Sequence, residues 1–216
     1  QSIKLAYDGE VITTCGTKVR TGSRAAWADD RVISAFPKSF DGYNEYFDFS
    51  TSNVTCLLNT SIEHFDTPNS RFFFNQSWHS FDIVISTISP EILFDYCYGH
   101  LNWMGRDFMK IVLPVTSVFP HDVFFQYYAN QEPFTRIVEY KKFYQYESPS
   151  TLLGMEIPSK SNKLYPYPTK KDQTLAAKYF DLMPENTFSI GRAGSYRYID
   201  MDDIIGQCFD LVEALE

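Results

Sequence analysis

Apolar and polar residues alternate along the middle of this chain, and that pattern predicts antiparallel β-sheet. Residues 105–158 contain successive apolar runs at hairpin spacing, separated by polar or proline-bearing turns. Within them, residues 135–140 show the two-residue period of a half-exposed strand. An arginine in such a strand, here Arg136, usually faces solvent, and a ligand-facing arginine is the minority case.

Helical spacing replaces this alternation in the C-terminal part of the chain. Residues 169–183 have apolar positions at helical intervals, with Thr169 as the N-cap and Pro184 ending the helix. Residues 188–190 predict a short strand. Residues 201–215 predict an amphipathic helix, whose apolar side is formed by Ile204, Ile205, Cys208, Leu211, Val212 and Leu215.

The first half of the chain predicts shorter elements. The pattern indicates a turn at 36–43, a short aromatic helix, a strand around 54–58, a strand followed by a turn at 71–80, and a short buried strand at 82–86. A helix then begins at Ser89-Pro90 and runs to about Tyr98, with Pro90 in its first position. This step from a strand to a helix is typical of an α/β sheet layer.

Residues 186–203 (NTFSIGRAGSYRYIDMDD) combine a strand, a glycine-containing turn and a helix start. Such an arrangement brings backbone N–H groups and the positive end of a helix dipole to one point, which favours an anion. Two arginines and the tyrosines Tyr196 and Tyr198 add to a preference for a phosphate or nucleotide ligand. The alternative is an ordinary strand–turn–helix segment with Asp200 as the helix N-cap.

Composition narrows the function classes. The formal net charge of −8 argues against a nucleic-acid-binding protein, so any phosphate recognition must depend on a few placed arginines. No apolar run reaches the roughly 18 residues that a membrane span needs. The four cysteines are scattered without a C-x-x-C pair, which disfavours a zinc site or a disulfide framework and favours a reducing, cytoplasmic compartment.

Side-chain chemistry alone identifies no catalytic centre in the sequence. The four histidines lie in unrelated settings, metal-ligand spacings are missing, and neither G-x-G-x-x-G nor a P-loop motif occurs. Redox or isomerase chemistry would therefore need a cofactor. Near the N-terminus, Lys18, Arg20, Arg24 and Arg31 concentrate positive charge, which fits either a solvated loop or the mouth of a site for an anionic substrate.

Four motifs occur in the order in which one known enzyme family has them. Residues 94–103 (FDYCYGHLNW) resemble its F-D-Y-x-x-G-x-L-x-[WY] helix end, and residues 133–143 (PFTRIVEYKKF) resemble its P-Y-T-R-I-x-E-x-K-x-F strand. Residues 164–166 lie where it has a Tyr-Tyr-Pro loop. Residues 191–202 (GRAGSYRYIDMD) resemble its C-terminal motif. The chain thus resembles UDP-galactopyranose mutases, a family of FAD-dependent isomerases.

The resemblance extends upstream but does not include the whole family pattern. Val19-Arg20 and Asp30-Arg31 keep the separation of the family's V-R…D-R pair, and Trp27 lies near an aromatic position. Roughly residues 15–216 are covered. The family's N-terminal part has no counterpart in the sequence; it carries the G-x-G-x-x-G loop, a histidine near the flavin and most of the uridine-binding helices.

The fold that the resemblance implies is α+β or α/β. It consists of a partial FAD-binding layer of the glutathione-reductase type and an antiparallel β-sheet substrate domain. Residues 1–35 would be a remnant of a helical substrate-binding region, residues 36–104 and 186–216 the partial FAD-type domain, and residues 105–185 the sheet domain with its loop and helix.

The implied reaction interconverts UDP-galactopyranose and UDP-galactofuranose through an adduct between the sugar and N5 of reduced flavin. Arg20 and Arg136 match the family's diphosphate-contacting arginines, Tyr165 and Tyr198 match its phosphate-contacting tyrosines, and Trp27 would lie beside the uridine. The partners implied are UDP-galactose and UDP.

Cofactor contacts follow from the C-terminal motif in the same way. Arg192 matches the arginine beside the flavin, and Asp200 matches the acidic residue near the sugar end. Met201 and Asp202 begin the helix whose N-terminus lies against FAD, with Gly191 and Tyr198 in the same motif. The residues expected to serve catalysis are Arg20, Arg136 and Asp200.

Departures from the family pattern leave alternatives open. Met104 and Gly16 stand where the family commonly has basic residues. A FAD domain without its first βαβ unit has an open sheet edge, which a second copy or a missing N-terminal segment would cover, or which would repack. The alternative function is therefore an inactive mutase-like module that binds a nucleotide sugar or a partner without FAD. A different flavin oxidoreductase of the amine-oxidase type fits the motifs less well.

Overall fold

A computed structural model describes residues 44–121, 123–143 and 146–216 of the chain. Arg20 and Trp27 lie outside these residues, so the two N-terminal site predictions stay predictions.

The strands of the described residues are short except for two long ones in the middle of the chain. They are β1 (His64–Asp66), β2 (Arg71–Phe74), β3 (Ser77–Ser80), β4 (Val84–Ser86), β5 (Trp103–Leu113), β6 (Phe125–Tyr127), β7 (Arg136–Glu139), β8 (Thr151–Ser159), β9 (Tyr165–Pro166) and β10 (Thr187–Ser189). The helices are α1 (Asn44–Thr51), α2 (Pro90–Leu93), α3 (Lys170–Phe180), α4 (Gly191–Gly194) and α5 (Met201–Leu215), with 3₁₀ turns at Thr67–Asn69 and Tyr140–Lys142.

The largest sheet has the strand order β6–β7–β8–β5–β9, and all its neighbours are antiparallel. Strand β5 pairs with β8 over most of its length, and its first residues, Trp103 and Met104, pair with β9. The antiparallel sheet predicted from the alternation at residues 105–158 is confirmed. Strand β9 extends it, because the proline-rich segment after β8 folds back onto the start of β5.

Two smaller sheets lie outside this one. Strands β4 and β10 pair in parallel although they are far apart in the sequence, which is the arrangement of an α/β layer. Strands β1, β2 and β3 form an antiparallel meander. Residues 71–80 are thus a hairpin rather than one strand, because Asn75 and Gln76 both have positive φ (49° and 64°) and make the tight turn that joins β2 to β3.

The helix starts follow the sequence signals. The Thr169 side chain caps α3 by accepting a hydrogen bond from the Asp172 N–H at 3.2 Å. Asp200 is the N-cap of α5, and its own N–H donates to the Asp203 carboxylate at 3.0 Å. The predicted bounds of α5 are confirmed. Its apolar side is only partly covered by the described residues, since Ile204 and Leu211 are half-buried whereas Ile205 and Val212 are each more than half exposed.

The core joins the start of β5 to α3 and to the turn after α4. Trp103 and Tyr196 pack edge to face with ring centroids 5.1 Å apart, next to Ala176 and Tyr179. The buried Tyr196 hydroxyl donates to the Asn102 carbonyl at 2.6 Å and accepts from the Tyr167 N–H at 3.2 Å. Tyr196 is therefore a core residue that ties β5 to β9, although the sequence placed it beside an anion.

Two predicted elements are wrong. Residues 54–58 form no strand, since Val54, Leu57 and Leu58 are mostly exposed and make no strand pairing. The helix predicted to reach Tyr98 ends at Leu93, because Asp95 and Tyr96 have φ values of 50° and 56° that a right-handed helix excludes. Among the residues that the structure describes, no helix has the length and apolar content to cross a bilayer.

Candidate functional site

One face of the large sheet carries a row of side chains that includes Arg136 and Glu156. The register pairs Tyr127 with Arg136, Arg136 with Glu156, and Glu156 with Phe108, across β6, β7, β8 and β5. Residues paired directly across antiparallel strands point to the same face. The row therefore brings together residues that lie as many as 48 positions apart in the sequence (156 − 108).

Glu156 is the centre of this row and is almost fully buried, with 2% of its surface exposed. Its carboxylate accepts hydrogen bonds from Arg136 Nε at 2.9 Å and Arg136 Nη2 at 2.6 Å. The same carboxylate forms an ion pair with Arg106 from β5. A buried carboxylate needs such partners, because an unpaired one would be strongly disfavoured. Two guanidinium groups share one negative charge here, so the trio has a net positive charge.

Two tyrosines continue the cluster from Arg106. The Arg106 guanidinium lies over the ring of Tyr165 at 4.9 Å from its centroid. Tyr165 in turn packs edge to face against Tyr198, with centroids 5.0 Å apart and an interplanar angle of 84°. The guanidinium of Arg192 lies 5.0 Å from the Tyr165 ring and 5.1 Å from the Tyr198 ring. The two rings thus lie between two arginines.

Arg192 is held by the backbone that follows it. Its Nε and Nη2 donate to the Ile199 carbonyl at 3.0 and 2.8 Å, and its Nη2 lies 3.6 Å from the Asp200 carboxylate. These contacts close the loop between α4 and α5. The side chain is 30% exposed, so one side of the guanidinium faces outward from the fold.

The pKa of the Tyr198 hydroxyl is raised above its ordinary value of 10.0, mainly because burial disfavours the phenolate. The neighbouring Tyr165 raises it further, whereas the positive charges of Arg192 and Arg106 lower it. The hydroxyl is thus neutral at physiological pH and can donate a hydrogen bond to an anion.

The start of α5 lies next to this cluster. Asp200 caps the helix and contacts Arg192, while Met201 and Asp202 form its first, exposed turn. A helix N-terminus favours negative charge, and here the acidic side chains of Asp200, Asp202 and Asp203 already supply it.

The structure therefore places six of the sequence-predicted residues in one neighbourhood of the fold. Arg136, Tyr165, Tyr198, Arg192 and Asp200 are linked by successive contacts through Glu156 and Arg106, and Gly191 precedes Arg192 at the start of α4. Their roles toward a ligand stay predictions.

Three residues of the cluster were not found by sequence reasoning: Glu156, Arg106 and Tyr127. Their positions depend on the register of β5, β6 and β8, which the alternation pattern does not fix. One signal for Arg106 was available in the sequence. The family resemblance expects a basic residue at position 104, and in a strand Arg106 lies on the same side as Met104, two residues earlier.

Comparison with known proteins identifies the family. The family model for UDP-galactopyranose mutase matches residues 10–198. The chain belongs to the UDP-galactopyranose mutase family. Members of this family are isomerases and, in general, FAD-dependent flavoproteins.

Individual relatives agree with this assignment. A UDP-galactopyranose mutase of Mycoplasma genitalium is 26% identical over 202 residues, covering 87% of this chain and 49% of the relative. A Klebsiella pneumoniae protein described as a probable UDP-galactopyranose mutase is 24% identical over 190 residues, covering 82% of this chain and 49% of the relative. The chain thus spans about half the length of these curated relatives.

A solved structure supports the fold. The crystal structure of a reduced UDP-galactopyranose mutase matches with a TM-score of 0.54 and 18% identity, over 64% of this chain and 41% of that one. The mixed α/β architecture with an antiparallel sheet is therefore the mutase fold over the matched part. The division into domains predicted from the sequence stays a prediction.

The residues around α4 are compatible with one end of a flavin cofactor. Gly191 has a φ of 76°, and a Cβ built there would meet no atom within 4 Å, so this backbone borders open space. Arg192 follows it in the chain, and its guanidinium lies 5.1 Å from the Tyr198 ring; a cation and a flat ring are groups that suit an isoalloxazine ring. A glycine-rich loop for the cofactor's pyrophosphate does not occur in the sequence.

Proposed function

We propose that this chain forms the nucleotide-sugar side of a UDP-galactopyranose mutase site, and that it takes part in interconverting UDP-galactopyranose and UDP-galactofuranose. The observation that carries the proposal is the contact series from Arg136 through Glu156, Arg106 and Tyr165 to Tyr198. It joins arginines, which can contact phosphate oxygens with two N–H groups, to tyrosines, whose hydroxyls can donate to the same oxygens.

Arg136 is the residue proposed to grip the diphosphate. A guanidinium has five N–H groups, and Glu156 occupies Nε and part of Nη2. Its Nη1 lies 3.4 Å from the Tyr127 hydroxyl, on the side away from Glu156. Nη1 uses one N–H to donate to the Tyr127 hydroxyl, so its second N–H is the donor proposed for the ligand, and Glu156 holds the guanidinium in one orientation.

The isomerisation requires UDP to leave the sugar and remain bound. Negative charge then develops on the diphosphate, and preorganised positive charge stabilises it. Arg136 would supply charge, while Tyr165 and Tyr198 would donate neutral hydroxyl hydrogen bonds. Arg20 and Trp27 are proposed to add a second cation and a uridine contact, on the family resemblance alone.

FAD, when bound in reduced form, would supply the nucleophile for the sugar. This chain's part would be to hold the flavin end through Arg192, Tyr198 and the backbone at Gly191. Asp200 would orient Arg192 and face the sugar, and Met201 and Asp202 would border the cofactor at the start of α5. The proposed compartment is the cytoplasm, where UDP-sugars are available.

A nucleotide-sugar-binding module without flavin is the second candidate. It is favoured by the cluster itself, because every contact from Arg136 to Tyr198 is made by protein groups and needs no cofactor to assemble. Both candidates require UDP binding, and only the first requires flavin.

Calorimetric titration with UDP, followed by flavin absorbance after incubation with FAD, tests both. The mutase proposal expects saturable UDP binding, a bound flavin spectrum and conversion of UDP-galactofuranose once the flavin is reduced with dithionite. UDP binding without flavin retention supports the module instead. A chain that binds no UDP contradicts both.

A further inference from the structure

Arg106 is a partly buried cation for which neither the sequence motifs nor the comparisons provide a role. It lies in β5 opposite Pro158, two residue pairs away from the Phe108–Glu156 pair, and therefore on the face that carries Arg136. We propose that Arg106 is a further diphosphate-binding residue of this site, beside Arg136, and that Glu156 sets the spacing between Arg106 and Arg136. The inference rests on the proposed function.

The contacts of Arg106 hold its guanidinium beside Glu156 and the two tyrosines of the cluster. Its guanidinium pairs with Glu156 at one end and lies over the Tyr165 ring at 4.9 Å. Its positive charge also reaches the Tyr198 hydroxyl and lowers the pKa of that group. Arg106 therefore lies beside both tyrosines that are proposed to contact phosphate.

The net charge of the cluster also supports a bound anion. The trio of Arg106, Arg136 and Glu156 has one positive charge in excess, in a part of the fold where the Glu156 side chain is 3% exposed and that of Arg106 is 20% exposed. Keeping a surplus positive charge away from water costs free energy unless an anion neutralises it. A diphosphate carries the negative charge and the planar oxygen pairs that two adjacent guanidinium groups match.

The competing interpretation is that Arg106 only neutralises Glu156. A purely structural ion pair would change folding stability when broken, but it would affect uridine and UDP equally as ligands. A diphosphate contact would affect UDP and leave uridine unchanged. The two interpretations are therefore separated by ligand selectivity, not by stability.

The experiment compares UDP and uridine binding by the wild-type chain and four variants. Arg106→Gln is expected to weaken UDP about tenfold, which is the typical loss for one charge-assisted hydrogen bond, and to leave uridine affinity unchanged. It is also expected to reduce the dependence of UDP affinity on salt concentration. Lys110→Gln is the matched control, because Lys110 lies on the same strand and face, four residues from Arg106, and should change neither affinity.

Arg106→Lys keeps the ion pair with Glu156 but replaces the planar fork by a point charge. It is expected to weaken UDP by about threefold, with uridine unchanged. This variant tests the inference if circular dichroism shows that Arg106→Gln does not fold. Unchanged UDP affinity in Arg106→Lys would then overturn the inference.

The remaining outcomes distinguish this inference from the proposed function. If Arg136→Ala weakens UDP and a folded Arg106→Gln does not, Arg106 is structural and only the inference fails. Equal losses for UDP and uridine in Arg106→Gln overturn it as well. If the wild-type chain binds no UDP, the proposed function and the inference fail together.

Discussion

Arg136 and Glu156 form a two-point contact, in which Nε and Nη2 of the guanidinium donate to one carboxylate oxygen at 2.9 and 2.6 Å. The two residues are direct partners in the β7–β8 register. This pairing turns an arginine that the alternation pattern would leave in solvent into a fixed, half-buried group. The position of the candidate site follows from it.

Replacing Glu156 should therefore cost folding stability. Glu156→Gln removes the carboxylate that Arg136 and Arg106 share and leaves two partly buried cations side by side. We expect a loss of about 3 kcal/mol in the free energy of unfolding, measured by urea denaturation. The exposed Glu213→Gln is the matched control and should stay within about 0.5 kcal/mol of the wild type. Equal stabilities of the two variants would contradict the bridging role.

Tyr198→Phe tests the proposed hydroxyl donor. The ring contacts with Tyr165 and Arg192 are retained, so the packing should persist, while the phosphate loses one donor. We expect UDP affinity to fall about tenfold by calorimetry. Tyr146→Phe, at a residue that is 67% exposed, serves as the control and should bind UDP like the wild type. If both variants bind alike, Tyr198 does not contact the phosphate.

Glu139 should make the fold sensitive to acid. Burial raises the pKa of this carboxyl, but hydrogen bonds from the Phe119 N–H, the Thr151 hydroxyl and the Val118 N–H, together with Lys142, lower it from 4.5 to about 2. The folded state therefore binds the proton less readily than the unfolded state. The stabilisation is complete above about pH 4.5 and is lost as the pH falls toward 2.

Urea denaturation of Glu139→Gln at several pH values checks this. At pH 6 the variant should be less stable than the wild type by about 2 kcal/mol, since charged acceptors are replaced by a neutral one. The difference should narrow between pH 4.5 and 2, because the wild type loses the contribution there and the variant has none to lose. A difference that does not change with pH would contradict the lowered pKa.

Two glycine substitutions should change stability in opposite directions. Gly191 has a φ of 76°, so Gly191→Ala should destabilise the fold by about 1 kcal/mol through backbone strain alone, as a Cβ there meets no atom within 4 Å. Gly206 lies inside α5 with equally open surroundings, and Gly206→Ala should stabilise by up to about 1 kcal/mol. Thermal unfolding of both variants measures the pair. If both substitutions stabilise the fold, or both destabilise it, local backbone conformation does not determine their effect on stability.

Element types were predicted well where a local signal was strong. Thr169 caps α3 and Asp200 caps α5 because a side-chain oxygen before a helix satisfies free N–H groups at any location in a fold. Prediction failed at residues 54–58, which pair with no strand in the part of the chain that the structure describes, and after Leu93, where two residues adopt positive φ. The hydrophobicity pattern alone indicates neither the presence of a partner strand nor the sign of a backbone φ angle.

The sequence by itself determined the family and the antiparallel sheet at its centre, and it supplied the arginines and tyrosines proposed to bind a diphosphate. Local periodicity and motif order suffice for these, because they depend on neighbouring residues. Only the tertiary structure decided that Tyr196 is a core residue while Tyr198, two positions later, joins the cluster of Arg192 and Tyr165. It alone also placed Arg106 and Arg136 on one buried carboxylate. Strand register sets these contacts, and register is a property of pairing between distant segments.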